Sequence, residues 1–132
     1  MRSKGAVPEL LLDTHVVLWW LFDSPKVTDP VDALVRSASA VRVSAASAWE
    51  IAIKQSLGRI VVPEPLEDAV RRSGFAPLPL TFEHAQRLMG VPPLHRDPFD
   101  RVLVAVALAE GLTLVTADPA VLAYPVPSFD AR

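Results

Sequence analysis

Short apolar runs alternate along this chain with stretches in which apolar residues recur at helical spacing. Glu9 to Leu12 predicts a first buried strand, and His15 to Phe22 a short helix entered through Asp13 or Thr14. Asp29-Pro30 reads as an N-cap with proline at the first helical position, and Val31, Leu34, Val35 and Ala38 share one face of the helix behind it. Val41 to Val43 is a second strand, followed by a helix from Ala45 to Leu57 that stops at Gly58. Leu66, Ala69 and Val70 mark a helix between Pro65 and Gly74, and Phe75 to Leu80 a third strand, bent or at an edge because prolines interrupt it. Phe82, Ala85, Leu88 and Met89 mark a helix ending at Gly90. Pro98 opens the longest helix, with Phe99, Val102, Leu103 and Val106 inward and Gly111 as its stop. Leu112 to Thr116 is a fourth strand, Asp118-Pro119 starts a short helix, and Val126 belongs to a last short strand.

Strands alternating with helices predict an α/β fold in three layers. A mostly parallel sheet of four or five strands would be covered by helices on both faces. At 132 residues the chain fits one domain, and 51% hydrophobic residues argue against disorder. Its longest apolar stretches, Val16 to Phe22 and Val102 to Ala109, fall far short of the ~20 residues that span a bilayer, so both predict core helices and no membrane partner. The basic start, Met1 to Gly5, is not followed by a signal-peptide apolar region. With no cysteines, disulfides, thiolate metal sites and cysteine nucleophiles are excluded, and a cytoplasmic location is expected. A net charge of −2 does not announce a nucleic-acid binder.

The chemistry lies in the acids. Asp13 follows the run Leu10-Leu11-Leu12, and Asp118 follows Thr113 to Thr116. A residue just past a buried strand sits at the carboxyl edge of an open α/β sheet, where such folds place their sites. Glu50 and Asp100 fall in the first turns of helices starting at the same edge, with Asp97 close by. Each acid also has a local role open to it. Ser47-Ala48-Trp49-Glu50 has capping-box spacing, Glu50 can pair with Lys54, and Asp13, Asp97 and Asp118 all suit N-caps. Together they would repel one another unless a hard cation lay between them. Mg²⁺ or Mn²⁺ on oxygen ligands can activate water and neutralise charge at a phosphate, so phosphodiester hydrolysis needs little else from the protein.

Four segments carry a resemblance over nearly the whole chain: Leu11 to His15; Val43-Ser44 through Trp49 to Lys54 and Gly58-Arg59; His95 to Arg101; and Leu114 to Asp118. In this order and spacing the chain resembles the PIN-domain ribonucleases, and within them the VapC-type toxins of bacterial toxin–antitoxin pairs. That resemblance implies one PIN domain over residues 1–132, a metal-dependent endoribonuclease toxin, and Asp13, Glu50, Asp100 and Asp118 as the catalytic, metal-binding acids. Asp97 would assist, and Thr14 and Thr116 would orient metal-bound waters. It also implies Mg²⁺ or Mn²⁺ as cofactor, an RNA substrate, homodimers and a cognate antitoxin in the active-site groove.

Lys54, Arg59, Arg96 and Arg101 adjoin the acidic motifs and suit phosphate contacts, or equally a solvated charged face. His15 and His95 lack the spaced partners of a histidine metal site and read as packing or hydrogen-bonding residues, with a phosphate contact open to His95. Trp19, Trp20 and Trp49 read as core or dimer-interface residues. A haloacid-dehalogenase type of phosphatase would want an acid at position 15, which is His15, and a receiver domain would want a late lysine, whereas the last one is Lys54. No G-x-G-x-x-G follows the first strand. The alternative from another class is a non-catalytic PIN-like module that only binds a protein.

Overall fold

The computed structural model describes residues 8–132, so the basic stretch Met1 to Gly5 lies outside the described residues. Five strands, β1 (Glu9–Leu12), β2 (Ala40–Ser44), β3 (Ala76–Leu78), β4 (Thr113–Thr116) and β5 (Ser128–Asp130), form one sheet in the order β3-β2-β1-β4-β5. All four pairings are parallel, with Leu12 opposite Val115 and Leu11 opposite both Arg42 and Leu114. The helices are α1 (Thr14–Leu21), α2 (Asp29–Ser37), α3 (Ala45–Ser56), α4 (Leu66–Arg72), α5 (Phe82–Leu88), α6 (Pro98–Glu110) and α7 (Pro119–Leu122).

Alternation along the central strands explains the three layers. Leu10, Leu12 and Val115 point into a core with Val16 and Val17 of α1, Val31 and Val35 of α2 and Val70 of α4. Leu11 and Leu114 point the other way, onto Leu103, Val106 and Ala107 of α6 with Val121 and Tyr124. A strand buried on both faces reads as a continuous apolar run, as Leu10 to Leu12 does. No helix of the described residues is long and apolar enough to cross a membrane.

Four expected details shift. The N-cap of α2 is Thr28, whose side chain accepts from the Val31 amide, so Asp29 and Pro30 occupy the first helical positions. The third strand is cut to Ala76–Leu78 because Pro79, lacking an N–H, cannot extend the ladder. Val126, flanked by prolines, is a buried loop residue, and β5 begins only after Pro127. Phe99 and Val102 are half-buried rather than inward. The start of α6 faces α3 there, and its sheet-facing core begins at Leu103.

Reading outward from β1, the chain runs to β2 and β3 on one side and to β4 and β5 on the other. The reversal opens a crevice at the carboxyl ends of β1 and β4.

Candidate functional site

Asp13 is the first residue after β1, and its amide extends the ladder to the Val115 carbonyl at 3.0 Å. Its Oδ1 caps α1 by accepting from the Val16 amide at 3.0 Å, while Oδ2 accepts the Thr116 hydroxyl at 2.5 Å. Thr116 closes β4, and its hydroxyl oxygen also accepts from the Asp118 amide at 3.1 Å. One threonine therefore fixes the acids that follow two neighbouring strands. Asp118 in turn caps α7 through the Ala120 amide at 2.9 Å.

Ser44 ends β2 and caps α3, so this helix starts directly at the sheet edge. Glu50 falls on its second turn, beyond reach of a capping box with Ser47. Ser47 instead accepts the buried Thr14 hydroxyl at 2.9 Å, which ties the first turns of α1 and α3 together. Glu50 is buried. Its Oε2 lies 3.4 Å from Lys54 Nζ, and its Oε1 has no hydrogen-bond partner among the described residues. A buried carboxylate oxygen left without a partner is costly unless something else fills the position.

Asp97 caps α6 through the Phe99 amide at 2.9 Å, which sets Asp100 in the first turn. Asp100 is buried and meets His95 Nε2 at 3.1 Å, while Asp118 Oδ2 meets the same nitrogen at 2.7 Å. His95 Nε2 and one oxygen each of Asp100 and Asp118 all lie within 4.8 Å of one another. A depression of about 230 Å³, lined by Asp13, His15, Trp19, Ala117 and Asp118, opens beside them.

The electrostatics match this crowding. Burial first, then the charges of Asp97, Asp13 and Glu50, push the Asp100 carboxyl up to about 7, against the opposing pull of His95. Burial also raises Asp13, only partly offset by the Thr116 and Val16 hydrogen bonds. Burial would raise Asp118 too, but hydrogen bonds from His95 and the Ala120 amide hold it below its ordinary value. Its bond to Asp118, backed by the charges of Asp100, Asp118 and Asp97, raises His95 despite burial. Asp13, Glu50, Asp97 and His95 thus all act electrically on Asp100.

The other expected residues divide. Lys54 sits at the site on Glu50, and Thr116 at its centre. Thr14 is spent on Ser47, and Arg101 turns away to donate to the Val91 carbonyl at 3.3 Å. Arg59 and Arg96 are exposed. Trp20 packs against Phe75 with ring centroids 5.7 Å apart, whereas Trp49 is 63% exposed and so is not a core residue. His95 and Ser47 are the site residues that sequence reasoning undervalued. The one sequence signal for His95 was its place two residues before Asp97 in the densest acidic segment.

Oxygen donors dominate this cluster, and hard divalent cations prefer such donors. The unpartnered Glu50 Oε1, together with a carboxyl raised to about 7 by burial and then by its acidic neighbours, fits a site built around a cation.

The profile of the PIN domain family matches residues 10–125. A protein named ribonuclease VapC22, from Mycobacterium tuberculosis (strain ATCC 25618 / H37Rv), is 28% identical over 117 residues, covering 83% of this chain and 86% of the relative. Among solved structures, VapBC2 from Rickettsia felis, bound to a DNA fragment from its promoter, superposes with a TM-score of 0.66 at 13% identity, covering 92% of this chain and 98% of that one. A toxin–antitoxin complex from Klebsiella pneumoniae gives 0.66 at 17% identity, covering 93% and 98%.

Proposed function

We propose that this chain, which belongs to the PIN domain family, is a metal-dependent endoribonuclease toxin held in check by a cognate antitoxin. The observation that carries the reading is the cluster at the crevice where the strand order reverses: Asp100 and Asp118 lie at ligand distance of each other, and Asp13 and Glu50 are near enough for their charges to act on Asp100. A relative named as a ribonuclease and structural neighbours solved as toxin–antitoxin complexes support the substrate and the partner. Asp13, Asp100, Asp118 and Glu50 would hold Mg²⁺ or Mn²⁺. Such an ion, when bound, supplies an activated water and neutralises charge on the phosphate.

The protein's own residues do the rest. Thr116 fixes Asp13 and Asp118 relative to each other. The Thr14–Ser47 bond fixes α3, and with it Glu50, against α1. Lys54 sits at the edge of the acids, where it can meet a phosphate oxygen, and exposed Arg59 and Arg96 extend positive charge to the RNA backbone. Incubating the purified protein with total RNA tests the reading. Discrete fragments formed with Mg²⁺ or Mn²⁺ and absent with EDTA are expected. No cleavage by folded, partner-free protein would favour a binding module instead.

The homodimer has a surface to match. Trp49 and Ile53 on the exposed side of α3, and Leu57 at its C-cap, recur every four residues. With Phe99 and Val102 of α6 the first two line a groove of about 270 Å³. An aromatic anchor in an apolar groove is the usual centre of an interface, and losing one costs about 2 kcal/mol or more. Trp49→Asp is therefore expected to weaken dimerisation at least ~30-fold, read as a shift from dimer to monomer mass in light scattering. A variant that stayed dimeric at low micromolar concentration would move the interface elsewhere.

A further inference from the structure

His95 lies among the acids at ligand distance, and a histidine there invites the reading that it binds the metal. The hydrogen bonds on its ring say otherwise. Nδ1 accepts from the Asp97 amide at 3.0 Å, and the His95 amide donates to the Tyr124 hydroxyl at 2.9 Å. Tyr124 is buried, so both ends of the residue are fixed. A ring whose Nδ1 accepts a hydrogen bond carries its hydrogen on Nε2. Nε2 is then a donor, placed 2.7 Å from Asp118 Oδ2 and 3.1 Å from Asp100 Oδ2. A protonated nitrogen has no lone pair to give a cation.

From this geometry we propose that His95 is a positioning residue: its Nε2–H clamps Asp118 and Asp100 together as a shaped oxygen site and is not itself a ligand. The inference rests on the metal reading above and adds the device that assembles the site. Asp100 rides on the first turn of α6 and Asp118 on the cap of α7, two elements that no carboxylate–carboxylate attraction could draw together. A donor shared between them supplies what repulsion denies. It also gives Asp97 a definite place. Its carboxylate caps α6 and its amide sets the ring of His95, so it acts on the site through the histidine as well as through its charge on Asp100.

Two measurements test this on the intact protein, with the metal alone as probe. Mn²⁺ titration without RNA is expected to show about 10- to 100-fold weaker binding in His95→Asn, which cannot place a donor where Nε2 lies. His95→Gln, whose amide nitrogen reaches that position, should bind within a few-fold of wild type. A role confined to folding would lower the melting temperature without separating the two variants in this way. In nitrogen-resolved NMR of wild type with Mg²⁺, Nε2 is expected to keep its hydrogen, and this readout stands even if a variant fails to fold. An unprotonated Nε2 under saturating Mg²⁺, or wild-type Mn²⁺ affinity in His95→Asn, would overturn the inference. Wild type that binds no Mn²⁺ would overturn the metal reading itself, and the clamp with it.

Discussion

In the Asp100→Asn variant, metal-dependent RNA cleavage is expected to fall by more than ~100-fold, beyond the loss usual for partners outside the ligand set. In EDTA at pH 8 the same variant should melt at a higher temperature than wild type. The two effects share one cause. Asp100 is buried in the first turn of α6 beside Asp97, Asp13 and Glu50, and these surroundings push its carboxyl up to about 7. At pH 8 the folded wild type must ionise that group against its neighbours, while an amide of nearly the same shape carries no charge there. At pH 5 the wild-type carboxyl is itself protonated in the fold, so the melting difference should shrink to a minor part of its pH 8 size. A stability gain paired with lost activity is the usual mark of a site strained for function. Cleavage assays beside thermal melts decide it, and undiminished cleavage by the folded variant would remove Asp100 from the machinery.

Much of this arrangement could be read from the chain because it is local. Asp13 and Asp118 announce themselves as acids just past apolar runs, and Gly58 and Gly111, both at positive φ, mark where α3 and α6 stop. The parallel sheet follows from strands that are apolar on both faces. Strand order does not, since nothing in Leu112 to Thr116 says that β4 pairs with β1. The contacts that hold the acids in place are also long-range. Thr116 reaches Asp13 across 103 residues, Thr14 reaches Ser47 across 33, and His95 reaches Asp118 across 23. No periodicity encodes a hydrogen bond between residues so far apart. Trp49 misleads for a related reason: it sits at helical spacing in apolar surroundings, yet the fold turns that stripe of α3 to solvent. Phe99 and Val102 are half-buried for the same reason, because period alone cannot say which neighbour a helix face meets.

Saturating Mn²⁺ should raise the melting temperature by roughly ten degrees at pH 8 and far less at pH 5.5. An ion at about 100 times its Kd that binds only the folded state adds about 2.7 kcal/mol. In a domain of this size each kcal/mol is worth roughly 3–5 °C. Asp100 sets the pH dependence. Its folded carboxyl titrates at about 7 and the unfolded one near its ordinary 3.8, so without metal the fold binds the extra proton and loses stability as pH rises from about 4 to 7. Asp13, also raised by burial, works in the same direction. His95, raised by its bond to Asp118, favours the fold at low pH and loses that contribution as pH climbs. Asp118 is lowered, so its contribution holds above its ordinary range and is lost only in stronger acid, outside this window. A cation reverses the trend by replacing the protons. At pH 5.5 it must first displace the one on Asp100, which weakens binding roughly 30-fold and leaves only about 0.9 kcal/mol at the same concentration. In Asp100→Asn that pH dependence should largely disappear. Equal shifts at both pH values would mean that the ion binds elsewhere, and that the crowded carboxylates serve some end other than holding it.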